Sequence, residues 1–432
     1  MRRTAFAFAT LLALATAALA QDIRGTWQAD GKPQRVLKIG RTAQAYHGNL
    51  YNLGDEVPGS PRNGNGISVV TLADRSVSFS LDEAQGDFEG RLAEDGNSIT
   101  GTWKTLYGPP QPLTFTRATK LAAWAIDPSP HKSLFVTIQP GVKLEVLDWG
   151  GKGPPMILLN GLGGTAHGFD AFAPRLTDKH HVYGITRRGF GASSSPPPTD
   201  ENYDADRLRD DVLAVMAALG IEKPVIAGHS IAGGELSSIG TRHPEKIAGL
   251  IYLDSVFQYA FYNSAQEDLA MDSAIVRRDL DRMFDLQTSP AQWRALIAEI
   301  QAQLPKLQKS LQQTADMLEG APEMPGAVQK PEDLAGNKIV ANARAYGPTS
   351  VPVLAILALP RRCQPNCDKP FMQKIMAADA ARADAFEKAN PQARVVRIAN
   401  ASHFIWRSNE ADVLREMNAF MDSAAGAASS AR

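Results

Sequence analysis

Two patterns of apolar and polar positions divide this 432-residue chain. Up to about residue 118, apolar side chains alternate with polar ones over short stretches, as in Ser76-Val77-Ser78-Phe79-Ser80. Alternation sends every second side chain to one face, so each stretch reads as a half-buried strand. Turn-forming clusters separate them, among them Asn63-Gly64-Asn65-Gly66 and Asp95-Gly96-Asn97, and no long helical period intervenes. Residues 21–120 therefore read as a small antiparallel β-barrel or sandwich. Gly25-Thr26-Trp27 near its start recurs as Gly101-Thr102-Trp103 near its end. That repeat suggests first and last strands pairing around the two tryptophans. The tryptophans and His47 read as packing residues.

After a linker at 124–130 the pattern changes. From Leu134 onward, apolar runs alternate with helical stretches. The runs are 144–149, 156–159, 181–186, 225–227, 250–253, 353–357 and 395–398; the helical stretches include 205–219, 234–242 and 410–420. Strands alternating with helices predict a mostly parallel sheet covered on both faces, with its ligand site beyond the carboxyl ends of the strands. Between 257 and 344 the period is helical. Ser289-Pro290-Ala291-Gln292 reads as a capping box, and Trp293, Leu296, Ile297 and Ile300 then fall on one helix face. Leu304, Leu307, Leu311 and Leu318 continue that face up to the break at Gly320-Ala321-Pro322. The Ala-, Ser- and Gly-rich tail, 425–432, reads as disordered.

The first twenty residues change the setting. Arg2 and Arg3 precede an apolar run at 5–17 that is too short to span a bilayer, and Ala18-Leu19-Ala20 offers a cleavage site before Gln21. Residues 1–20 are therefore expected to be a signal peptide, and the protein to be exported to a periplasmic or extracellular compartment. No later stretch reads as a transmembrane anchor. The net charge of −1 argues against a nucleic-acid or anionic-membrane surface. The two cysteines, Cys363 and Cys367, are expected to form a local disulfide in an oxidising compartment; a metal site would need further ligands, which the surrounding sequence lacks.

The stretch with the clearest chemistry is Pro224-Val225-Ile226-Ala227-Gly228-His229-Ser230-Ile231-Ala232-Gly233-Gly234. A β-branched run ends at a glycine, and Ser230 follows two residues later, just before a helical stretch. A strand–turn–helix of this kind lifts a serine hydroxyl clear of the backbone, provided the residues two before and two after are small. Gly228 and Ala232 meet that condition. After another strand comes Asn160-Gly161-Leu162-Gly163-Gly164, a turn able to present a backbone N–H to the same space. The N–H groups of Leu162 and Ile231 are thus candidates for a two-donor oxyanion hole. After a third strand comes Arg187-Arg188-Gly189-Phe190-Gly191-Ala192-Ser193.

Asn160-Gly161, then Arg188-Gly189-Phe190-Gly191-Ala192-Ser193, then Gly228-His229-Ser230, each after a strand and in this order, resemble the α/β-hydrolase superfamily and its esterase, lipase and aminopeptidase-like members over about residues 131–424. The resemblance implies an eight-stranded, mostly parallel sheet, a helical cap inserted at about 257–344, and a Ser…acid…His triad in that chain order. The β module ahead of it resembles, loosely, the lipocalin-like modules fused to some secreted enzymes. Two positions depart from the superfamily pattern. Asn160-Gly161 stands where His-Gly is frequent, and Thr186 stands where an aspartate is usual.

His403, in the loop after the last apolar run, is the candidate base, because imidazole titrates near neutrality. The acid has two candidates. The loop after the seventh strand holds no carboxylate before Asp368, whereas Asp254 closes the sixth strand, a position some superfamily members use. Asp254 is favoured and Asp368 stays open. His229 adjoins the nucleophile with its side chain expected to point away. It joins Asn160, Gly161 and Trp293 as candidates for the substrate's surroundings. His131, His167 and His243 read as surface or loop residues. The expected activity is serine hydrolysis of a small-molecule carboxylic ester through an acyl-enzyme, without metal or organic cofactor. An amide-cleaving enzyme and a non-catalytic binding protein of the same fold are the alternatives. A serine at this turn speaks against haloalkane or epoxide hydrolysis, which in the superfamily resembles aspartate-nucleophile chemistry.

Overall fold

A computed structural model describes residues 22–29, 34–41, 46–53, 65–81, 86–104, 109–118, 131–191, 193–256, 260–263, 265–284, 289–319, 331–363 and 367–430. The expected signal peptide, the linker at 124–130 and the side chain of His47 lie outside them. The chain divides into two compact units, Met1–Pro130 with Phe190–Ala192, and His131–Gly189 with Ser193–Arg432.

The first unit is a closed antiparallel barrel, formed by β1 (Gly25–Ala29), β2 (Gln34–Arg41), β3 (Tyr46–Leu53), β4 (Asn65–Ala73), β5 (Ser76–Ser80), β6 (Asp87–Leu92), β7 (Ser98–Lys104) and β8 (Gln111–Arg117). Alternation decides which way side chains face. In β5, Val77 and Phe79 are buried while the three serines are not. Phe79 stacks on Phe88 at 5.2 Å, and Phe115 meets Phe88 edge-on at 5.3 Å. The barrel closes where β1 pairs with β8, placing Trp27 opposite Arg117, whose guanidinium lies 4.2 Å from the indole centre. Trp103 is equally part of the core but sits on β7, so the closing pair is Trp27 with Arg117 rather than two tryptophans. Asn65 and Gly66, read as turn residues, open β4 instead and pair with Leu50 and Asn49.

The second unit holds β9 (Lys132–Gln139), β10 (Val142–Gly150), β11 (Pro155–Leu159), β12 (His181–Ile185), β13 (Val225–His229), β14 (Gly249–Leu253), β15 (Val353–Leu357) and β16 (Arg394–Arg397). They lie in one sheet in the order β16-β15-β14-β13-β11-β12-β10-β9. The pairings from β12 through to β16 are parallel, and those of β10 with β12 and β9 are antiparallel. Every residue of β13, β14 and β15 is buried, which is why these segments read as continuous apolar runs. β9 gave no separate signal because only Val136 of its eight residues is buried.

Helices α1 (Ala205–Leu219), α2 (Gly233–Arg242), α3 (Leu269–Met283), α4 (Pro290–Leu318), α5 (Pro331–Ala341), α6 (Pro370–Ala389) and α7 (Glu410–Ser430) accompany the sheet. Three of them, α3 to α5, fall between β14 and β15. Ser289 caps α4 reciprocally with Gln292, as its sequence predicts. On α4, Leu296 and Ile300 are buried, whereas Trp293, Ile297, Leu304 and Leu311 remain partly exposed. α6 had no legible stripe, since it buries only Asp379, Ala383 and Phe386. The tail departs from expectation: α7 runs on to Ser430. Its alanines favour helix strongly enough to extend it. No helix among the described residues is long and apolar enough to cross a membrane.

Leu158, fully buried in β11, tests this core. Leu158→Ala is expected to destabilise the sheet unit by about 2–5 kcal/mol, against under about 0.5 kcal/mol for Leu311→Ala on the partly exposed face of α4, measured by urea unfolding.

Candidate active site

Five loops leave the same edge of the sheet, and they carry the candidate residues. β13 ends at His229, and Ser230 follows with φ +53°, in the left-handed region that non-glycine residues avoid. The chain then enters a 3-10 turn, Ser230–Ala232, and continues as α2. A Cβ at Gly228 would lie 2.5 Å from Leu236 Cδ1 and 3.0 Å from the Ala232 Cβ, so strand and helix approach too closely for larger side chains. Ser255 Oγ donates to the Ser230 carbonyl at 2.5 Å and braces the turn from the loop after β14.

The turn after β11 faces this elbow. A Cβ on Gly161 would come within 3.0 Å of the Ser230 Cβ and 2.8 Å of His229 Nδ1. The Leu162 N–H has no acceptor among the described residues, and Ile231 opens the helical run, where the first N–H groups lack intrahelical acceptors. Asn160 is buried and turned inward: its Oδ1 accepts from the Gly161 N–H at 2.7 Å, and its Nδ2 donates to the Thr165 carbonyl at 2.8 Å. Asn160 and Gly161 therefore shape the turn rather than face a substrate. From beneath, Arg187 donates to the carbonyls of Asn160 (3.0 Å) and Gly161 (3.3 Å). Its Nε and Nη2 donate to Glu235 at 2.6 and 2.8 Å. This buried fork ties the glycine turn to the first turn of α2. Its role was not legible, because Arg187 is 27 residues from one carbonyl it grips and 48 from its carboxylate.

His403 Nδ1 donates to Asp254 Oδ2 at 2.7 Å, so the neutral ring carries its lone pair on Nε2. Asp254 is buried and left-handed, with φ +45°. Its N–H donates to the Ile356 carbonyl at 2.8 Å, and its Oδ1 accepts from the Ala358 N–H at 3.0 Å. Asp368, the other candidate acid, is exposed. His229 is 1 % exposed, and its Nε2 donates to the His403 carbonyl at 3.0 Å. The two imidazole centroids are 4.4 Å apart. Burial, then the His403 and Arg407 charges, hold the His229 pKa well below its usual range, so this ring stays neutral. It supports the His403 loop. Trp293 stands on the exposed face of α4, 38 % exposed. Cys363 and Cys367 are joined in a disulfide.

Behind the glycine turn, Thr186 donates to Glu145 Oε2 at 2.8 Å and accepts from the Ala166 N–H at 3.1 Å. Glu145 Oε1 lies 3.3 Å from His167 Nε2, and Asp170 Oδ2 lies 3.1 Å from His167 Nδ1. His131 Nδ1 lies 2.8 Å from Asp170 Oδ1. The surface reading of His131 and His167 is corrected: both side chains are buried, drawn in by these carboxylates. Ligand atoms of His131, His167 and Asp170 lie within 4.8 Å of one another, the set among the described residues able to hold a metal ion; they already engage each other.

With the geometry in place, residues 154–406 match the family model described as alpha/beta hydrolase fold. The chain belongs to the α/β-hydrolase fold family. Its relatives include proteins named as dehalogenase, epoxide hydrolase and esterase. A fluoroacetate dehalogenase of Burkholderia sp. is 29 % identical over 28 % of this chain and 40 % of its own length. The bifunctional epoxide hydrolase 2 of Rattus norvegicus is 30 % identical over 28 % and 22 %. The bifunctional esterase/perhydrolase DCH of Acinetobacter calcoaceticus is 31 % identical over 28 % and 44 %. The chain thus spans less than half the length of each of these relatives. Among solved structures, an E-2-(acetamidomethylene)succinate hydrolase is 18 % identical with TM-score 0.44, covering 68 % of this chain and 99 % of that one.

His167 gives this fold a pH signature. Burial opposes its charge, but Glu145 and Asp170 overcome that and hold its pKa well above 6.5. A folded-state pKa raised above the unfolded one contributes stability that is complete below about pH 6.5 and lost as pH rises through the folded value. The stability advantage of wild type over His167→Gln is therefore expected to be largest at pH 6 and to shrink in alkaline buffer, measured by urea unfolding across pH 6–10.

Proposed function

We propose that this α/β-hydrolase cleaves small-molecule carboxylic esters through a Ser230–His403–Asp254 triad. The observation that carries the reading is the 2.7 Å bond from His403 Nδ1 to Asp254 Oδ2, made beside a serine held at φ +53° at a strand–helix elbow. His403 Nε2 takes the proton from Ser230 as Oγ attacks the ester carbonyl. The N–H groups of Leu162 and Ile231 receive the oxyanion, and Asp254 stabilises the imidazolium. His403 then protonates the departing alcohol, activates a water, and the acyl-enzyme is hydrolysed. Each proton taken from an attacking oxygen returns to a leaving one, so the cycle closes without a cofactor.

A serine rather than a carboxylate at the elbow favours acyl transfer over the dehalogenase and epoxide-hydrolase activities named among the relatives. Helices α3 to α5 are proposed as a cap over the site. A Cβ on Gly336 of α5 would lie 3.4 Å from Leu162 Cδ1, which puts α5 against the glycine turn. Trp293 is retained as a candidate surface of that cap. Export is proposed from Arg2, Arg3, the apolar run at 5–17 and Ala18-Leu19-Ala20. A lipocalin-like relationship is proposed for the barrel from its eight-stranded closure.

Steady-state kinetics on nitrophenyl esters and matched anilides test this reading. Ester turnover should exceed anilide turnover and vanish in Ser230→Ala and His403→Ala. Asp254→Asn should lower kcat by roughly a thousandfold or more, while Asp368→Asn stays within about twofold. Full activity in Asp254→Asn, or a loss in Asp368→Asn matching that of His403→Ala, would reassign the acid.

A further inference from the structure

The loop after β15, where the acid of this superfamily commonly sits, instead carries a cation. Arg361 Nη2 lies 3.9 Å from Asp254 Oδ2, the same oxygen that accepts from His403. It lies only 2.7 Å from Asp379 Oδ2, a carboxylate 7 % exposed on α6. Arg382, one turn along α6, adds a second contact to Asp379 at 3.4 Å. Arg361 Nε and Asp379 Oδ2 each lack a hydrogen-bond partner among the described residues, so the two side chains meet as an ion pair and the guanidinium has donor capacity to spare. Asp254, Leu359, Arg361, Asp379 and Arg382 line one small cavity. A guanidinium that closed the remaining gap would bind a carboxylate as a two-pronged donor and compete with the single N–H of His403.

We propose that Asp379 is a positioning residue that holds Arg361 off Asp254 and thereby reserves Asp254 Oδ2 for His403. This rests on the triad assignment above. Both charges, Asp379 buried and Arg361 half-buried, act on His403 through space as well, and with opposite signs. Arg361 disfavours the imidazolium; Asp379 favours it. Around His403 stand Asp254 at the end of β14, which accepts from it, neutral His229 at the end of β13, whose ring centroid is 4.4 Å away, and Arg407 in the short helix Ile405–Ser408, whose charge acts on His229. Arg382 on α6 contacts Asp379, and Arg362 Nε donates to the Asn400 carbonyl at 3.3 Å. Burial pushes the Asp379 carboxyl above its usual range while Arg361 and Arg382 pull it down, so its charge depends on keeping Arg361 beside it.

The test is the pH dependence of Ser230 labelling by a fluorophosphonate probe on the full chain, for wild type, Asp379→Asn, Arg361→Gln and the double variant. Thermal unfolding of each checks the fold. Asp379→Asn should move the acid limb to lower pH by about one unit and lower the plateau labelling rate about tenfold. Arg361→Gln should move the limb the other way. Arg361→Gln/Asp379→Asn should return both limb and plateau towards wild type, because the guanidinium that Asp379 restrains is gone. Limbs that move in the same direction, or a double variant as slow as Asp379→Asn, would mean that Asp379 serves packing alone and would overturn the proposal. If Asp379→Asn does not fold, the comparison of Arg361→Gln with the double variant decides. Equal rates support the proposal, and a slower double variant contradicts it. Absence of labelling in wild type would instead strike the triad assignment.

Discussion

The left-handed backbone at Ser230 is the constraint from which the rest of the site follows. A serine does not adopt φ +53° unaided; surrounding structure has to impose it. Here β13 and α2 impose it by lying so close that Gly228 and Ala232 admit nothing larger, and Ser255 holds the Ser230 carbonyl from the next strand's loop. Strain at such a turn is offset by the burial around it. All five residues of β13 are buried, as are all five of β14 and of β15 on the same side of the sheet. The elbow is stiff because the sheet is.

Parallel strands then bring together groups that the sequence holds far apart. Asp254 and His403 are 149 residues apart, yet they meet because β14, β15 and β16 are neighbours whose carboxyl ends share one edge. Around them is a layer of buried charge. Arg187 with Glu235 fastens the glycine turn to α2, and Arg361 with Asp379 stands beside Asp254. Buried pairs of this kind add little net stability, since desolvation consumes most of their attraction, but breaking one leaves a stranded charge. Their value here is orientation: Arg187 fixes the glycine turn, and Asp379 fixes the side chain of Arg361 beside Asp254.

What the sequence revealed, and what it hid, follows from the range of each interaction. The strand runs, the elbow, the glycine turn and the capping box are local patterns, and Ser230, Gly228 and Ser289 could be read from their neighbours. Asp254 could be preferred over Asp368 because the strand boundary was legible. The supporting charges could not be found. Arg187, Arg361 and Asp379 look like ordinary surface residues until the fold brings them against partners distant in the chain. The same holds for His131 and His167, which read as loop residues and are buried against Asp170. Asn160 and His229 were placed near the substrate by adjacency alone. Their side chains turn instead to the backbone they support. Edge elements such as β9 and α6 were faint because few of their residues are buried.

The central claim is that Ser230 carries the acyl group. Intact-mass analysis of the protein mixed with a short-chain nitrophenyl ester and quenched in acid, followed by peptide mapping, addresses it directly. The account predicts a mass increase equal to one acyl group, located on the peptide containing Ser230 and absent in Ser230→Ala. Ester turnover with no adduct on that peptide, or with the adduct on an aspartate, would contradict it.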